Sequence, residues 1–351
     1  NGGAGVDTLV GGIGNDTYVV DAADVITESE NQGIDWVNVL LPAPATYILV
    51  GNVENAWIGN ATAGLNLTGN GLNNTLQGNG QANILSGLDG NDGLYGNAGN
   101  DTLLGGAGSD FLAGGGGNDS IDGGVIVDRI NYTDGNTVSY ASANAAVSVN
   151  LSGITGSGTT GTGTASDGLG GTDTLANIFH VQGSAQNDTL IGSAALTLEV
   201  FEGGKGDDSI DGGAITDTLN GENSNRVSYQ NAAVAVNVDL AAGTATSAAD
   251  TGAGSDGNDT LIRINQVRGS SHGDTLTGSN DLVLTESFEG RGGADTIDGA
   301  GGLDLARYDA APAPVNIDLA GGTASDGYGT TDTLAHIEGA RGSKFDDTLS
   351  G

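Results

Sequence analysis

Carboxylates recur in this chain at a fixed spacing, and glycines precede each of them. From residue 69 to residue 123 a glycine stands at every ninth position, and an Asn or Asp follows each glycine by five residues. The glycines are Gly69, Gly78, Gly87, Gly96, Gly105, Gly114 and Gly123, and the polar residues are Asn74, Asn83, Asp92, Asp101, Asp110, Asp119 and Asp128. Carboxylate oxygens and freely accessible glycine carbonyls are the donors that hard divalent cations take. The spacing therefore indicates metal-ligand chemistry that is repeated along the chain.

The elements that must hold these groups follow from the rest of the unit. It reads G-G-x-G-x-D-x-U-x, where U is an aliphatic residue such as Leu94 or Leu103, and its positions are numbered here one to nine. The glycine half predicts a tight turn with positive φ, and the x-U-x half predicts a three-residue strand with its central side chain inward. Two units form an 18-residue coil, and parallel stacking places residues i and i+18 about 4.8 Å apart. No helical period of 3.6 is present. The predicted fold class is all-β, a parallel β-roll or β-solenoid.

Stacked aspartates would be like charges at this short separation, so a cation must lie between the coils. An all-oxygen site of about six ligands with flexible geometry fits calcium better than magnesium. The chain has no Cys and only three His, which makes zinc and copper poor candidates. The predicted ligand pairs are Asp92 with Asp110, Asp101 with Asp119, and Asp110 with Asp128. Asn74 and Asn83 carry no charge, so the first coils of the block should bind calcium weakly or not at all.

The unit resembles the RTX (hemolysin-type calcium-binding) nonapeptide of secreted bacterial proteins. The segments that match it at every defined position are 2–10, 105–113 and 114–122. Segment 96–104 departs only at Asn97, and segment 87–95 departs only at Leu88. This resemblance implies a parallel β-roll, Ca2+ as the cofactor, type I secretion as an unfolded chain, and folding outside the cell on meeting calcium. The later, longer units resemble linking segments of large RTX adhesins and surface proteins.

The predicted metal ligands are the aspartates and turn glycines of these units. In the regular block they are Gly87, Asp89, Gly90, Asp92, Gly96, Gly99, Asp101, Gly105, Gly106, Gly108, Asp110, Gly114, Gly115, Gly117, Asp119 and Asp128. Elsewhere they are Asp7, Asp16, Asp188, Gly203, Gly204, Gly206, Asp208, Asp274 and Asp295.

Some of these aspartates depart from the 18-residue spacing. The residues 18 positions after Asp7 and Asp16 are Val25 and Ile34, which lack side-chain oxygens. Any metal at Asp7 or Asp16 would therefore need ligands from outside residues 1–19, or ligands that are not part of the motif. Asp188 and Asp208 are 20 residues apart, and Asp274 and Asp295 are 21 apart. Each of these two pairs predicts two adjacent coils with a small bulge between them.

The register also divides the chain into six segments. They are a nonapeptide pair at 1–19, β-rich wider coils or an insert at 20–68, the regular roll at 69–131, and long β units at 132–226, 227–307 and 308–351, the last of them truncated.

Composition narrows the range of partners and chemistries. The chain has 351 residues with 44 acids against nine bases, a formal charge of −35. Such a charge argues against nucleic acid and anionic membranes as partners, because Lys and Arg make those contacts. No apolar run approaches about 18 residues, so no membrane insertion is expected. No catalytic motif or acid/base constellation is present, and the chain is not expected to be an enzyme.

The sequence thus predicts a calcium-binding structural repeat region of a secreted or cell-surface bacterial protein. It would fold on calcium into a stiff solenoid that serves as adhesin stalk, surface-layer or filament material. One alternative is an accessory calcium-binding or secretion domain of a secreted enzyme whose catalytic part lies elsewhere. Another is carbohydrate or cell-surface binding by residues 132–351. The chain begins within a motif, and joining its last residues to its first would place Asp7 eleven residues after Asp347, nine plus a two-residue bulge, which predicts tandem continuation or end-to-end self-association.

Overall fold

Short strands joined by tight turns make up the structure. It is a computed structural model and describes residues 1–21, 24–30, 32–42, 44–59, 64–125, 135–155, 161–195, 197–214, 224–247 and 257–351. Within these residues there is no helix, as the missing 3.6-residue period predicts. In the same ranges, accordingly, no helix is long and apolar enough to cross a membrane.

The strands are three to six residues long. The first are β1 (Thr8–Val10), β2 (Thr17–Val20), β3 (Val25–Thr27), β4 (Trp36–Val39), β5 (Ala45–Ile48), β6 (Asn55–Ile58), β7 (Leu65–Thr68), β8 (Thr75–Gln77), β9 (Ile84–Asp89), β10 (Gly93–Tyr95), β11 (Thr102–Ala107), β12 (Phe111–Ala113), β13 (Ser120–Val125), β14 (Thr137–Ser139), β15 (Ser148–Asn150), β16 (Gly163–Ser166) and β17 (Thr172–Ala176). The others are β18 (His180–Gln182), β19 (Thr189–Ile191), β20 (Leu198–Glu202), β21 (Ser209–Asp211), β22 (Ser224–Ser228), β23 (Val236–Asp239), β24 (Thr244–Ser247), β25 (Asn258–Ile262), β26 (Gln266–Arg268), β27 (Thr275–Thr277), β28 (Thr285–Glu289), β29 (Thr296–Asp298), β30 (Leu303–Arg307), β31 (Asn316–Asp318), β32 (Thr323–Ser325), β33 (Thr331–Ala335), β34 (Gly339–Arg341) and β35 (Thr348–Ser350).

The chain divides into two compact units. The first consists of Asn1–Asn144 and Gly158–Val181, and the second of Ala145–Ser157 and Gln182–Gly351. In the first unit, successive strands belong alternately to two parallel sheets. One sheet has the order β2-β4-β6-β8-β10-β12-β14, and the other has the order β5-β7-β9-β11-β13-β17. A separate pair, β1 and β3, is also parallel.

The aliphatic residue at position eight of each nonapeptide forms the core of the first unit. In one sheet Leu94 pairs in register with Leu76 on one side and Leu112 on the other. Leu85 and Leu103 pair in the same way in the facing set of strands. All five side chains are 0% exposed. Full burial of one such side chain contributes about 2 kcal/mol, so each coil adds its own part of the core.

The second unit also has two sets of strands, but one of them is mixed. Strands β20, β22, β26, β28, β30 and β34 form a parallel series. The other series is interrupted by antiparallel strands, because β24 lies between β23 and β25, and β32 lies between β31 and β33. In the first unit β16 pairs antiparallel to β17 in the same manner. The predicted all-β solenoid is confirmed, and each long unit adds an antiparallel strand that the repeat pattern did not predict.

Candidate metal sites

The aspartates at position six join neighbouring coils through one of their two carboxylate oxygens. The Asp92 N–H donates to Asp110 Oδ1 (2.9 Å), and the Asp101 N–H donates to Asp119 Oδ1 (2.8 Å). The structure therefore places these two predicted pairs on adjacent coils. The Asp110 N–H donates to Asn136 Oδ1 (3.0 Å), so Asn136 takes the place that the 18-residue spacing assigns to Asp128. Asp128 itself lies outside the described residues.

The glycine at position one provides the space for the second carboxylate oxygen. A Cβ on Gly87 would lie 2.1 Å from Asp92 Oδ2 and 2.6 Å from the carbonyl oxygen of Gly105 on the next coil. The same collision with a position-six carboxylate would occur at Gly96, Gly105, Gly114 and Gly203. A side chain at position one would therefore fill the space in which the aspartate oxygen and a turn carbonyl come together.

The turns before the aspartates are of two kinds, and the difference lies at positions two and four. In the first kind both positions have positive φ, as Gly106 (120°) and Gly108 (132°) do. In the described residues this kind occurs at 3/5, 12/14, 88/90, 97/99, 106/108, 115/117, 204/206, 291/293 and 300/302. It includes the predicted turn glycines Gly90, Gly99, Gly115, Gly117, Gly204 and Gly206. Leu88, Asn97, Arg291 and Ala300 adopt this conformation although they are not glycine, which costs each of them strain.

The aspartates that follow these left-handed turns have an unusual second oxygen. Oδ2 is buried and, within the described part of the chain, accepts no hydrogen bond in Asp7, Asp16, Asp92, Asp101, Asp119, Asp208, Asp295 and Asp304. A buried carboxylate oxygen without a donor is costly, because burial removes its water and nothing replaces it. Such oxygens beside turn carbonyls suit a hard divalent cation. Asp89, predicted from the same block, is exposed at the end of β9.

The second kind of turn satisfies its carboxylate with protein donors. The Ser184 N–H donates to Asp188 Oδ2 (2.5 Å), and the Ser184 hydroxyl and the Val147 N–H donate to Oδ1 (2.8 and 2.7 Å). Asp274 is held in the same way by Ser270 (N–H 2.6 Å, hydroxyl 2.8 Å). These two predicted ligands are thus adjacent to Asp208 and Asp295, but their own oxygens already have donors.

Asparagine at position six avoids a buried oxygen without a donor in another way. The Asn70 N–H donates to Asn74 Oδ1 (2.7 Å), and Asn74 Nδ2 donates to the Glu54 carbonyl (2.9 Å). Asn83 likewise donates Nδ2–H to the Leu65 carbonyl (2.6 Å). Where the aspartate would have an oxygen that needs a cation, the asparagine amide has an N–H donor. This geometry gives a physical reason for the expectation that these coils hold little metal.

The first two motif aspartates have partners that the 18-residue spacing does not predict. The Asp7 N–H donates to Asp24 Oδ1 (2.9 Å), and the Asp16 N–H donates to Asp35 Oδ1 (2.8 Å). The spacings are 17 and 19 residues, so Val25 and Ile34 are each one residue away from the true neighbour. Asp16, Glu28 and Asp35 have carboxylate oxygens that all lie within 4.8 Å of one another.

The motif also failed to predict some candidate carboxylates. Asp304 is 1% exposed, and within the described residues neither of its oxygens accepts a hydrogen bond. It follows a left-handed turn at Ala300 and Gly302 and lies nine residues after Asp295, a spacing that could have revealed it.

A second overlooked set lies in the long units, where Asp173, Asp259 and Asp332 accept hydroxyl hydrogen bonds from three repeated tyrosines. The donors are Tyr140 (3.0 Å), Tyr229 (2.8 Å) and Tyr308 (3.0 Å), respectively.

Burial changes the protonation of these sites. It raises the pKa of Asp92 and Asp101 to about 7, although N–H donors from Asn74 and Asn83 oppose the shift. Burial likewise raises the pKa of Asp208 and Asp295 to about 8, with repulsion from neighbouring aspartates adding to it. These carboxyls therefore hold protons easily near neutral pH, and a divalent cation would have to displace them.

Comparison with known protein families identifies the motif. A family model for the RTX calcium-binding nonapeptide repeat, in four copies, matches residues 1–20, 68–103, 95–125, 104–136, 199–227, 244–262 and 286–306. No curated protein matches the chain. The matched segments contain the nine left-handed turns described above.

Proposed function

RTX calcium-binding nonapeptide repeats occur in multiple copies across the chain, and we propose that it binds calcium through those with left-handed turns. The ligands are the aspartates Asp7, Asp16, Asp92, Asp101, Asp110, Asp119, Asp208, Asp295 and Asp304, with carbonyls of their glycine turns. A hard cation bound there supplies positive charge to oxygens that have lost their water. Asp188 and Asp274 act as structural acceptors beside these sites.

The observation that carries this proposal is the distribution of donorless oxygens. Described position-six aspartates after a serine turn have hydrogen-bond donors on their carboxylates, as Asp188 shows. Those after a left-handed turn, such as Asp208, retain a buried Oδ2 that receives no hydrogen bond from described residues. A left-handed turn before the aspartate thus marks the sites that need a cation.

Binding and folding should be one equilibrium in such a chain. The buried aspartates are spread apart when the chain is unfolded, so their sites exist only after the coils have stacked. With a formal charge of −35, the metal-free chain also repels itself. Extracellular calcium modules work with dissociation constants of about 0.1–1 mM, which fits a chain that folds where calcium is abundant.

The context that agrees best with these properties is a secreted or cell-surface bacterial protein. RTX repeats typically occur in secreted proteins, and within each compact unit the described coils add buried aliphatic side chains to a core. In this proposal the calcium-loaded coils act as a stiff structural segment, such as a stalk, adhesin segment or filament. No catalytic role is assigned to the chain.

The experiment compares two isosteric changes on adjacent coils. Asp208→Asn removes the charge from an oxygen without a described donor and should reduce bound calcium by about one ion per chain. It should also raise the calcium concentration at the folding midpoint. Asp188→Asn is the control. It removes the charge of a carboxylate that already accepts hydrogen bonds from Ser184, and it should leave the amount of bound calcium unchanged.

Calcium content is measured after equilibrium dialysis, and folding is followed by circular dichroism with and without EGTA. Equal loss of calcium from both variants would contradict the assignment by turn type. A β-spectrum that chelation does not change would contradict calcium-dependent folding itself.

A further inference from the structure

Three acidic side chains meet near the beginning of the first unit. Asp16 precedes β2, Glu28 follows β3 and Asp35 precedes β4, and each offers a carboxylate oxygen within 4.8 Å of the other two. Only Asp16 belongs to a nonapeptide. Glu28 and Asp35 lie outside the residues that the repeat family matches, which end at residue 20 in this region.

Asp35 shows that this group is more than a set of surface acids. It is 1% exposed, and its Oδ1 accepts the Asp16 N–H (2.8 Å). Its Oδ2 is buried and accepts no hydrogen bond from any described residue, and the same holds for Asp16 Oδ2. Two buried oxygens without donors thus belong to the carboxylates that converge here.

The described residues supply little that could balance the three charges. The Tyr18 hydroxyl donates to Glu28 Oε2, and among the described ion pairs none involves Asp16, Glu28 or Asp35. Like charges at such separations repel by about 1 kcal/mol per pair in water and by more where water is excluded. A hard cation with oxygen ligands would turn this repulsion into attraction.

We propose that Asp16, Glu28 and Asp35 form a three-carboxylate site for a hard divalent cation of the calcium class, in which Glu28 and Asp35 are ligands from outside the nonapeptides. The inference rests on the proposed function only through Asp16. The other two ligands come from the chain after β3 and before β4, so binding would join the first nonapeptide pair to the irregular segment that follows it. Three carboxylates give this site more charge than one motif aspartate with turn carbonyls, and therefore a higher affinity.

The two tryptophans of the chain provide a local test. Trp36 follows Asp35 directly, its backbone N–H donates to the Asp16 carbonyl (3.0 Å), and its ring centroid lies 5.6 Å from that of Trp57. Terbium, a luminescent substitute for calcium, should therefore be sensitised by tryptophan excitation mainly when it occupies this site. The probe is Tb3+ added to the full metal-free chain, with Ca2+ as the competitor.

Glu28→Gln keeps an acceptor for Tyr18, and Asp35→Asn keeps one for the Asp16 N–H. Either change should weaken the tryptophan-sensitised terbium affinity by about tenfold or more, since each removes one of three charges. Glu30→Gln, an equal charge change at an exposed position two residues from Glu28, should leave it unchanged. Because Glu28 is only partly buried, its variant should fold even if Asp35→Asn does not.

A tryptophan-sensitised signal that Ca2+ displaces, and that Glu28→Gln but not Glu30→Gln weakens, supports the site. Absence of such a signal in the unaltered chain, or equal signals in all variants, overturns it. Total calcium uptake, measured on the same samples, separates the two proposals. If the chain binds calcium but Glu28→Gln has no effect on the terbium signal, only this inference fails; if the chain takes up no calcium, the proposed function fails as well.

Discussion

At the scale of single residues, the sign of φ at position two decides what its aspartate needs. When position two is a serine with ordinary φ, as at residue 184, its N–H points at the carboxylate. When φ is positive, as at Gly204, the carboxylate of Asp208 is left with a buried oxygen that no described residue satisfies. Both kinds of turn have an aspartate at position six, so the residue at position two is what distinguishes a carboxylate with donors from one without.

Leu88 offers a direct test of this backbone requirement. It has a φ of 83° and a side chain that is 45% exposed, so it bears left-handed strain and contributes little burial. Leu88→Gly should remove the strain and stabilise the calcium-loaded protein by up to about 1 kcal/mol. Thermal unfolding at saturating calcium measures the change.

The control is Leu104→Gly, which removes a similarly exposed leucine (39%) from the extended strand β11. It should destabilise the protein by about 0.5–1 kcal/mol, because glycine weakens a strand. Destabilisation of equal size by both changes would mean that the strain at Leu88 has no energetic consequence.

At the scale of elements, the nonapeptide coils and the long units use different means to satisfy their acids. The long units add an antiparallel strand and a tyrosine, and the tyrosine hydroxyl provides the donor that the left-handed turns lack. Asp173 illustrates the arrangement, since its Oδ1 accepts the Asp119 N–H (2.9 Å) and its Oδ2 accepts the Tyr140 hydroxyl. A long unit thus follows a nonapeptide coil without requiring a further cation at that aspartate.

Tyr140→Phe tests this function of the long units. Tyr140 is buried, and loss of its hydroxyl leaves Asp173 Oδ2 without that donor in a place from which water is excluded. The free energy of unfolding in calcium should fall by about 1–3 kcal/mol. The pKa of Asp173, which burial already raises to about 7, should rise further.

Tyr95→Phe is the matched control, because the Tyr95 ring packs 5.7 Å from Phe111 and the change keeps that ring. Its effect should stay below about 0.5 kcal/mol. Denaturant unfolding at fixed calcium compares the two variants, and similar losses would show that the Tyr140 hydroxyl does not matter.

The limits of the sequence are clearest at this scale. Two of the predicted ligand pairs are adjacent in the structure, as Asp92 and Asp110 are, because both strands of each coil keep the nine-residue register there. The neighbour of Asp119 is Asp173, 54 residues later, because the intervening chain contributes strands elsewhere before it returns. Near the N-terminus the coils are one residue shorter or longer than 18, so the spacing did not predict Asp24 and Asp35 as neighbours of the motif aspartates. A fixed period can predict a regular coil, but the length of an irregular coil depends on how its side chains pack.

At the scale of the whole molecule, many buried acids make the metal-free protein sensitive to pH. Burial raises the pKa of Asp92 and Asp101 to about 7, of Asp304 to about 7, and of Asp208 and Asp295 to about 8. In the unfolded chain these groups would titrate near 3.8, so the folded state binds more protons between about pH 4 and pH 8. Protonation of these carboxyls therefore stabilises the fold at acidic pH, and that contribution is lost as the pH rises through the folded-state pKa values.

We accordingly expect the metal-free chain to have more β-structure near pH 5 than near pH 8.5. With saturating calcium the dependence should reverse, because protons compete with the cation for the same oxygens. Circular dichroism across this range, after removal of metal, measures the first effect, and calcium release on acidification measures the second. A metal-free chain that loses structure on acidification would contradict the assignment of these carboxyls.

The hydrogen bonds that the described position-six aspartates donate from their backbone N–H groups all run in one direction along the chain. The Asp92 N–H donates to a carboxylate that comes later in the chain, that of Asp110, and the Asp188 N–H likewise donates to Asp208. For the described position-six aspartates, the acceptor of this backbone N–H is thus supplied by the coil that follows. When such a chain emerges from a pore or a ribosome with its N-terminus first, each coil lacks its acceptor until the next has appeared. These bonds would therefore form in the order of emergence but one coil behind it, so that each new coil completes the one before.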